Sequence, residues 1–82
     1  VHLKTGKLYK IDDIKAYLGS FKDANSYHVG DLLFLVCEII EDGRYIVYVP
    51  QYNKMYSWGP KFHILQKAYE VKNDTWKSKR NT

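Results

Sequence analysis

At 82 residues the chain can bury one modest core but cannot house a cofactor domain beside a substrate domain. Hydrophobic residues at 45% and charged residues at 27% exclude a disordered polymer, and eight tyrosines, three phenylalanines and two tryptophans make aromatics the deviation from ordinary composition. The net charge of +4 is unevenly placed: residues 1–53 carry six bases against seven acids, whereas residues 54–82 carry seven against two. A polyanionic or acidic partner at that end, or a solvated tail, would follow from such asymmetry.

In chain order, residues 3–11 read as a strand with a bend at Lys4-Thr5-Gly6-Lys7. Asp12 or Asp13 is placed to cap a short helix over residues 13–18, because a carboxylate there accepts the free amide protons of a first turn. Ile14, Tyr17 and Leu18 share one helical face, and Gly19 suits its end. Residues 21–30 read as a polar loop.

The clearest element is a hairpin: residues 32–40 (LLFLVCEII) and 44–49 (RYIVYV) are β-branched and aromatic runs joined at Asp42-Gly43, a dipeptide suited to a two-residue type I′ turn. That turn sets Ile40 against Tyr45, Cys37 against Tyr48 and Val36 against Val49. One face then carries Leu33, Leu35, Cys37, Ile39, Ile46 and Tyr48. The other carries Leu32, Phe34, Val36, Ile40, Tyr45, Val47 and Val49, broken only by Glu38. Both faces are apolar, so the pattern expects a helix, the far wall of a small barrel or a partner over the second face, with Glu38 marking incomplete cover.

Past Pro50 the chain expects a tight reversal around Asn53 and a short strand at residues 56–58, which Gly59-Pro60 ends. Over residues 62–71, Ile64, Leu65 and Ala68 fit a helix while Phe62, Ile64 and Ala68 fit one face of a strand. The β-prone residues 69–71 favour the strand. Residues 1–76 read as one globular domain and residues 77–82 as a basic tail.

Val29-Gly30-Asp31 before an apolar strand, the Asp42-Gly43 hairpin and Pro50 at the end of its second strand resemble, over residues 29–71, a small SH3-like barrel in the broad sense that includes KOW-like modules. The resemblance implies a mainly β fold with one short helix (α+β), an antiparallel barrel built around the 32–49 hairpin. It implies ligand binding across exposed strands and loops. In size, charge and lack of a catalytic constellation the chain is also similar to small phage accessory proteins that bind host factors.

Little in the sequence points to reaction chemistry. His2, His28 and His63 are isolated, which disfavours a metal site, and Cys37 has no partner and is expected as a buried thiol in a reducing compartment. No nucleophile with a supporting base can be recognised, and the five glycines each suit a turn or cap rather than a phosphate loop. The expectation is a protein that is not an enzyme and needs no cofactor. The longest apolar stretch, residues 32–37, falls far short of the roughly 20 residues of a membrane span, and Lys4, Lys7 and Lys10 interrupt any signal-like start. A soluble cytoplasmic protein that engages no membrane is expected.

What remains is residues 48–61, YVPQYNKMYSWGPK. Tyr52, Tyr56 and Trp58 are candidates to stack bases, with Arg44, Lys54, Lys61, Lys67 and Lys72 neutralising phosphates. Core packing competes for the aromatics, most strongly for Tyr48 and Trp58. The sequence therefore predicts a nucleic-acid-binding module for RNA or single-stranded nucleic acid. The alternative is a protein-interaction module, a small inhibitor or adaptor of a host or cellular enzyme that engages an acidic protein surface.

Overall fold

Residues 3–19 and 27–71 are described by a computed structural model. Alternating β-branched, aromatic and leucine side chains build five strands: β1 (Leu8–Tyr17), β2 (Tyr27–Ile39), β3 (Tyr45–Val49), β4 (Lys54–Trp58) and β5 (Tyr69–Glu70). They form one sheet in the order β4-β3-β2-β1-β5, with every pairing antiparallel. The antiparallel β fold is thus as expected, but the sheet is open and does not close into a barrel.

The first departure is at residues 13–18, where the expected helix is instead the second half of β1. Ile14, Ala16 and Leu18 are buried while Lys15 and Tyr17 are exposed, an alternation of two that the helical fit of Ile14, Tyr17 and Leu18 had masked. A helix of so few residues is hard to nucleate, whereas pairing from Ile14↔Gly30 to Tyr17↔Tyr27 satisfies the backbone. Asp12 and Asp13 do not cap a helix; they form a β-bulge between the pairs Ile11↔Leu32 and Ile14↔Gly30. Asp13 adopts φ 48°, and its N–H donates to Asp31 Oδ1 at 2.9 Å. Because the bulge adds a residue, Ile11 and Ile14 both face the core.

Asp42-Gly43 does turn the central hairpin, but with a three-residue loop rather than two. Ile40 C=O accepts from Gly43 N–H at 2.9 Å, Ile40 N–H donates to Arg44 C=O at 3.0 Å, and Gly43 takes φ 89°. This is the geometry of a turn followed by a left-handed glycine. The register therefore slips by one, to Ile39↔Tyr45 and Glu38↔Ile46, and a bulge at Cys37 adds a second slip, to Val36↔Val47 and Leu35↔Tyr48 in place of the expected Val36↔Val49 and Cys37↔Tyr48. The consequence is chemical: Glu38 leaves the core face and lies opposite Ile46 in the outer row, and Cys37 is exposed rather than buried.

Leu32, Phe34, Val36, Val47 and Val49 are all fully buried on the inner face, as the hairpin pattern expected, with Ile40 only half-buried. Phe34 anchors it, its ring 5.7 Å from Tyr9 and 5.0 Å from Trp58. Residues 62–68 are not a strand: His63–Lys67 form a 3-10 helix that buries Ile64 and Leu65 in the core and packs on β1. The expected strand survives only as β5, joined to β1 through Tyr9↔Glu70 and Lys10↔Tyr69. At the start, residues 3–7 make the expected bend, with Gly6 at φ 82°, so the first strand begins at Leu8 and not at residue 3. The expected polar loop of residues 21–30 yields its last four positions to β2, and its residues 21–26 lie outside the described ones.

The outer face keeps Leu33, Leu35, Ile46 and Tyr48 only half-buried, with Met55 53% exposed beside them. Tyr48, expected toward the core, belongs to this face and donates from its hydroxyl to Asn53 Oδ1 at 2.6 Å. Among the described residues no second layer covers these side chains.

Candidate interaction groove

The segment singled out by composition folds into β4 and its flanks. Residues 50–53 make the reversal, with Asn53 at φ 52° and its N–H bonded to Pro50 C=O. β4 then pairs with β3 without a break from Val49↔Lys54 to Tyr45↔Trp58.

Trp58 lies at the centre of this region. It is 3% exposed, its indole N–H donates to Leu18 C=O at 2.6 Å, and its ring meets Phe34, Tyr56 and Phe62. Tyr56 stacks on it at 6.1 Å and is half-buried. An open groove of about 700 Å³ runs past these rings, lined by residues 55–62 and by residues 17–19 at the end of β1. Its walls set aromatic rings among polar surface, and among the described residues Lys61 is its single formal charge.

The other candidates are dispersed. Tyr52 is 40% exposed and sits in the reversal, its hydroxyl bound to Nδ1 of the buried His28. Lys54 opens β4 on the exposed surface. Lys67 ends the 3-10 helix and lines a separate small pocket of about 140 Å³ with Asp13, Lys15 and His63. Arg44 stands at the hairpin tip, its Nε 3.5 Å from Asp42 Oδ2, and a Cβ at Gly43 would lie 3.5 Å from Pro60, so the tip abuts the turn that precedes Lys61. Lys72 lies outside the described residues. The fold therefore brings together Tyr56, Trp58 and Lys61, with Arg44 near the turn. It does not assemble the expected stacking row, because Trp58 is core and Tyr52 belongs to the opposite end of β4.

Sequence reasoning missed Tyr17, Met55 and Phe62 as groove residues. The alternation of Ile14, Ala16 and Leu18 with Lys15 and Tyr17 was the available signal for the first, hidden by the helical reading.

The described residues carry eight bases (Lys4, Lys7, Lys10, Lys15, Arg44, Lys54, Lys61, Lys67) against seven acids (Asp12, Asp13, Asp31, Glu38, Glu41, Asp42, Glu70). Most of the basic excess thus belongs to residues 72–82. On the outer face, Lys10 Nζ lies 3.7 Å from both Asp12 and Asp31, and the Tyr69 hydroxyl donates to Asp12 at 3.0 Å. Partial desolvation first, then the hydrogen bond to Asp12, holds the Tyr69 hydroxyl above the ordinary phenol range. Tyr69, Asp31 and Asp12 in turn hold the Lys10 ammonium above its usual value. No group of three or more metal-ligating side chains occurs among the described residues, and no helix there is long and apolar enough to cross a membrane.

No protein-family model, curated protein or solved structure matches the chain.

Proposed function

We propose that this protein is a protein-interaction module, a small adaptor or inhibitor that engages a cellular or host protein through the β4 groove and the adjoining outer face. One observation carries the reading: a groove walled by the rings of Tyr17, Tyr56, Trp58 and Phe62 lies beside a terminal strand of the sheet. Aromatic side chains already held by packing lose little freedom when a partner covers them, which is why such residues dominate binding energy at interfaces. The near balance of charge in the described residues favours this reading over phosphate neutralisation. The SH3-like resemblance enters as an open variant of that barrel, supported by the bond from Trp58 to Leu18 that brings the ends of β4 and β1 together.

A nucleic-acid-binding module is the second reading, favoured by Lys61 and Arg44 on either side of the Gly59-Pro60 turn and by the bases of residues 72–82. Copurification from nuclease-treated extract separates the two. One defined protein should be retained by the wild type and lost with Met55→Glu, an exposed substitution that leaves the circular dichroism spectrum unchanged. Loss of the partner on nuclease treatment, together with oligonucleotide binding that falls steeply with salt, would reverse the order of the readings.

A further inference from the structure

We propose that the β4 groove takes an extended peptide segment of the partner as an added strand, with an apolar side chain against Tyr17, Tyr56 and Phe62 and a carboxylate beside Lys61. This deepens the protein-interaction reading and rests on it.

β4 is the last strand of the sheet, so alternate backbone N–H and C=O groups along it point away from β3. Such a row is a template for a further strand unless the edge is blunted by charge, proline or a bulge. None of these devices interrupts residues 55–58: the residues are Met, Tyr, Ser and Trp, and the pairing with β3 has no register shift. The opposite edge, by contrast, is a β5 of two residues. Groove and edge coincide, since every residue from 55 to 59 lines the groove. Five residues of strand span about 17 Å, enough for the main-chain bonds that give strand addition its affinity.

Charge selects the occupant. Among the described residues Lys61 is the only charged side chain on the groove, so an acidic residue in the bound segment gains an attraction there without meeting a carboxylate of those residues. A second copy of this chain fits less well. Antiparallel pairing of two β4 strands sets the Lys61 end of one beside the Lys54 end of the other, and like charges across a strand pair repel.

The test is a displayed library of random nonapeptides panned on the full chain. Enriched peptides should alternate apolar side chains and share an Asp or Glu at one position. The best of them, as a synthetic peptide, should slow amide exchange within residues 55–58. N-methylation at one of its bonding amides should weaken it about tenfold through the lost main-chain bond, and Lys61→Glu in the protein should weaken it by about the same factor. No enriched peptide, unchanged exchange in β4, or indifference to N-methylation would overturn strand addition; indifference to Lys61→Glu would overturn the carboxylate. If any of these occurs while Met55→Glu still abolishes nuclease-resistant copurification, the inference falls and the interaction reading stands. If no partner copurifies at all and oligonucleotides bind, the reading itself has failed.

Discussion

The indole N–H of Trp58 donates to the carbonyl oxygen of Leu18 at 2.6 Å, joining positions 40 residues apart. It bonds the last strand of the sheet to the chain just beyond the first, although no ladder connects β4 to β1. Both groups are buried, so the bond cannot be exchanged for water at little cost.

Trp58→Phe keeps most of the ring but leaves the Leu18 carbonyl without its donor, and should destabilise the protein by about 2 kcal/mol. Urea denaturation followed by tyrosine fluorescence reads this. A variant as stable as the wild type would mean that the indole N–H contributes only packing.

His28 is the buried polar side chain of the described core. Its Nε2 lies 2.8 Å from Asp31 C=O, and a carbonyl can only accept, so Nε2 carries the proton and Nδ1 accepts from the Tyr52 hydroxyl. Tyr52→Phe removes that donor from the imidazole and should cost about 1 kcal/mol. The same variant should shift the His28 ring-nitrogen resonances in NMR spectra, and unchanged resonances would argue against the bond.

Gly43 takes φ 89°, and a Cβ there would meet Pro60 Cγ at 3.5 Å. The contact is ordinary, so the backbone decides: an L-residue in the left-handed region should cost Gly43→Ala about 1 kcal/mol. A thermal unfolding midpoint within error of the wild type would show that the hairpin tip adapts.

The raised ionisation ranges of Lys10 and Tyr69 predict an alkaline limb to stability. For both groups the protonated form is favoured more in the folded than in the unfolded chain. Their contribution is therefore complete below their ordinary values near pH 10 and is lost as pH rises through the higher folded values. Tyr69→Phe and Lys10→Met should each make stability less sensitive to pH above about 10. Parallel alkaline unfolding curves for both variants and the wild type would count against the cluster.

Much of the architecture was legible because it depends on local chemistry. The runs at residues 32–40 and 44–49 could hardly be anything but strands, Gly43 and Asn53 mark reversals, and the inner face from Leu32 to Val49 follows from alternation alone. Where the reading failed, one inserted residue was usually responsible. The bulge at Asp12-Asp13 broke the period of two that would have revealed β1 beyond Ile11, and the bulge at Cys37 moved Glu38 to the outer face. A bulge is stabilised by partners distant in sequence, here Asp31 for Asp13, so nothing in the local pattern announces it.

The candidate site divides in the same way. Residue types alone marked residues 48–61 as the chemically unusual segment, since aromatics and lysines declare themselves by composition. Which of them line the groove was settled by pairing. Docking β4 on β3 buried Trp58 and, with the segment that leaves β1 at Leu18, formed the groove over Tyr17, Tyr56 and Phe62. By itself the sequence determined an aromatic, β-rich domain with its basic excess toward one end. Only the tertiary structure decided which faces of the described residues are buried and that β4 lies at an edge of their sheet, because side-chain burial depends on register, and register is a property of two strands together.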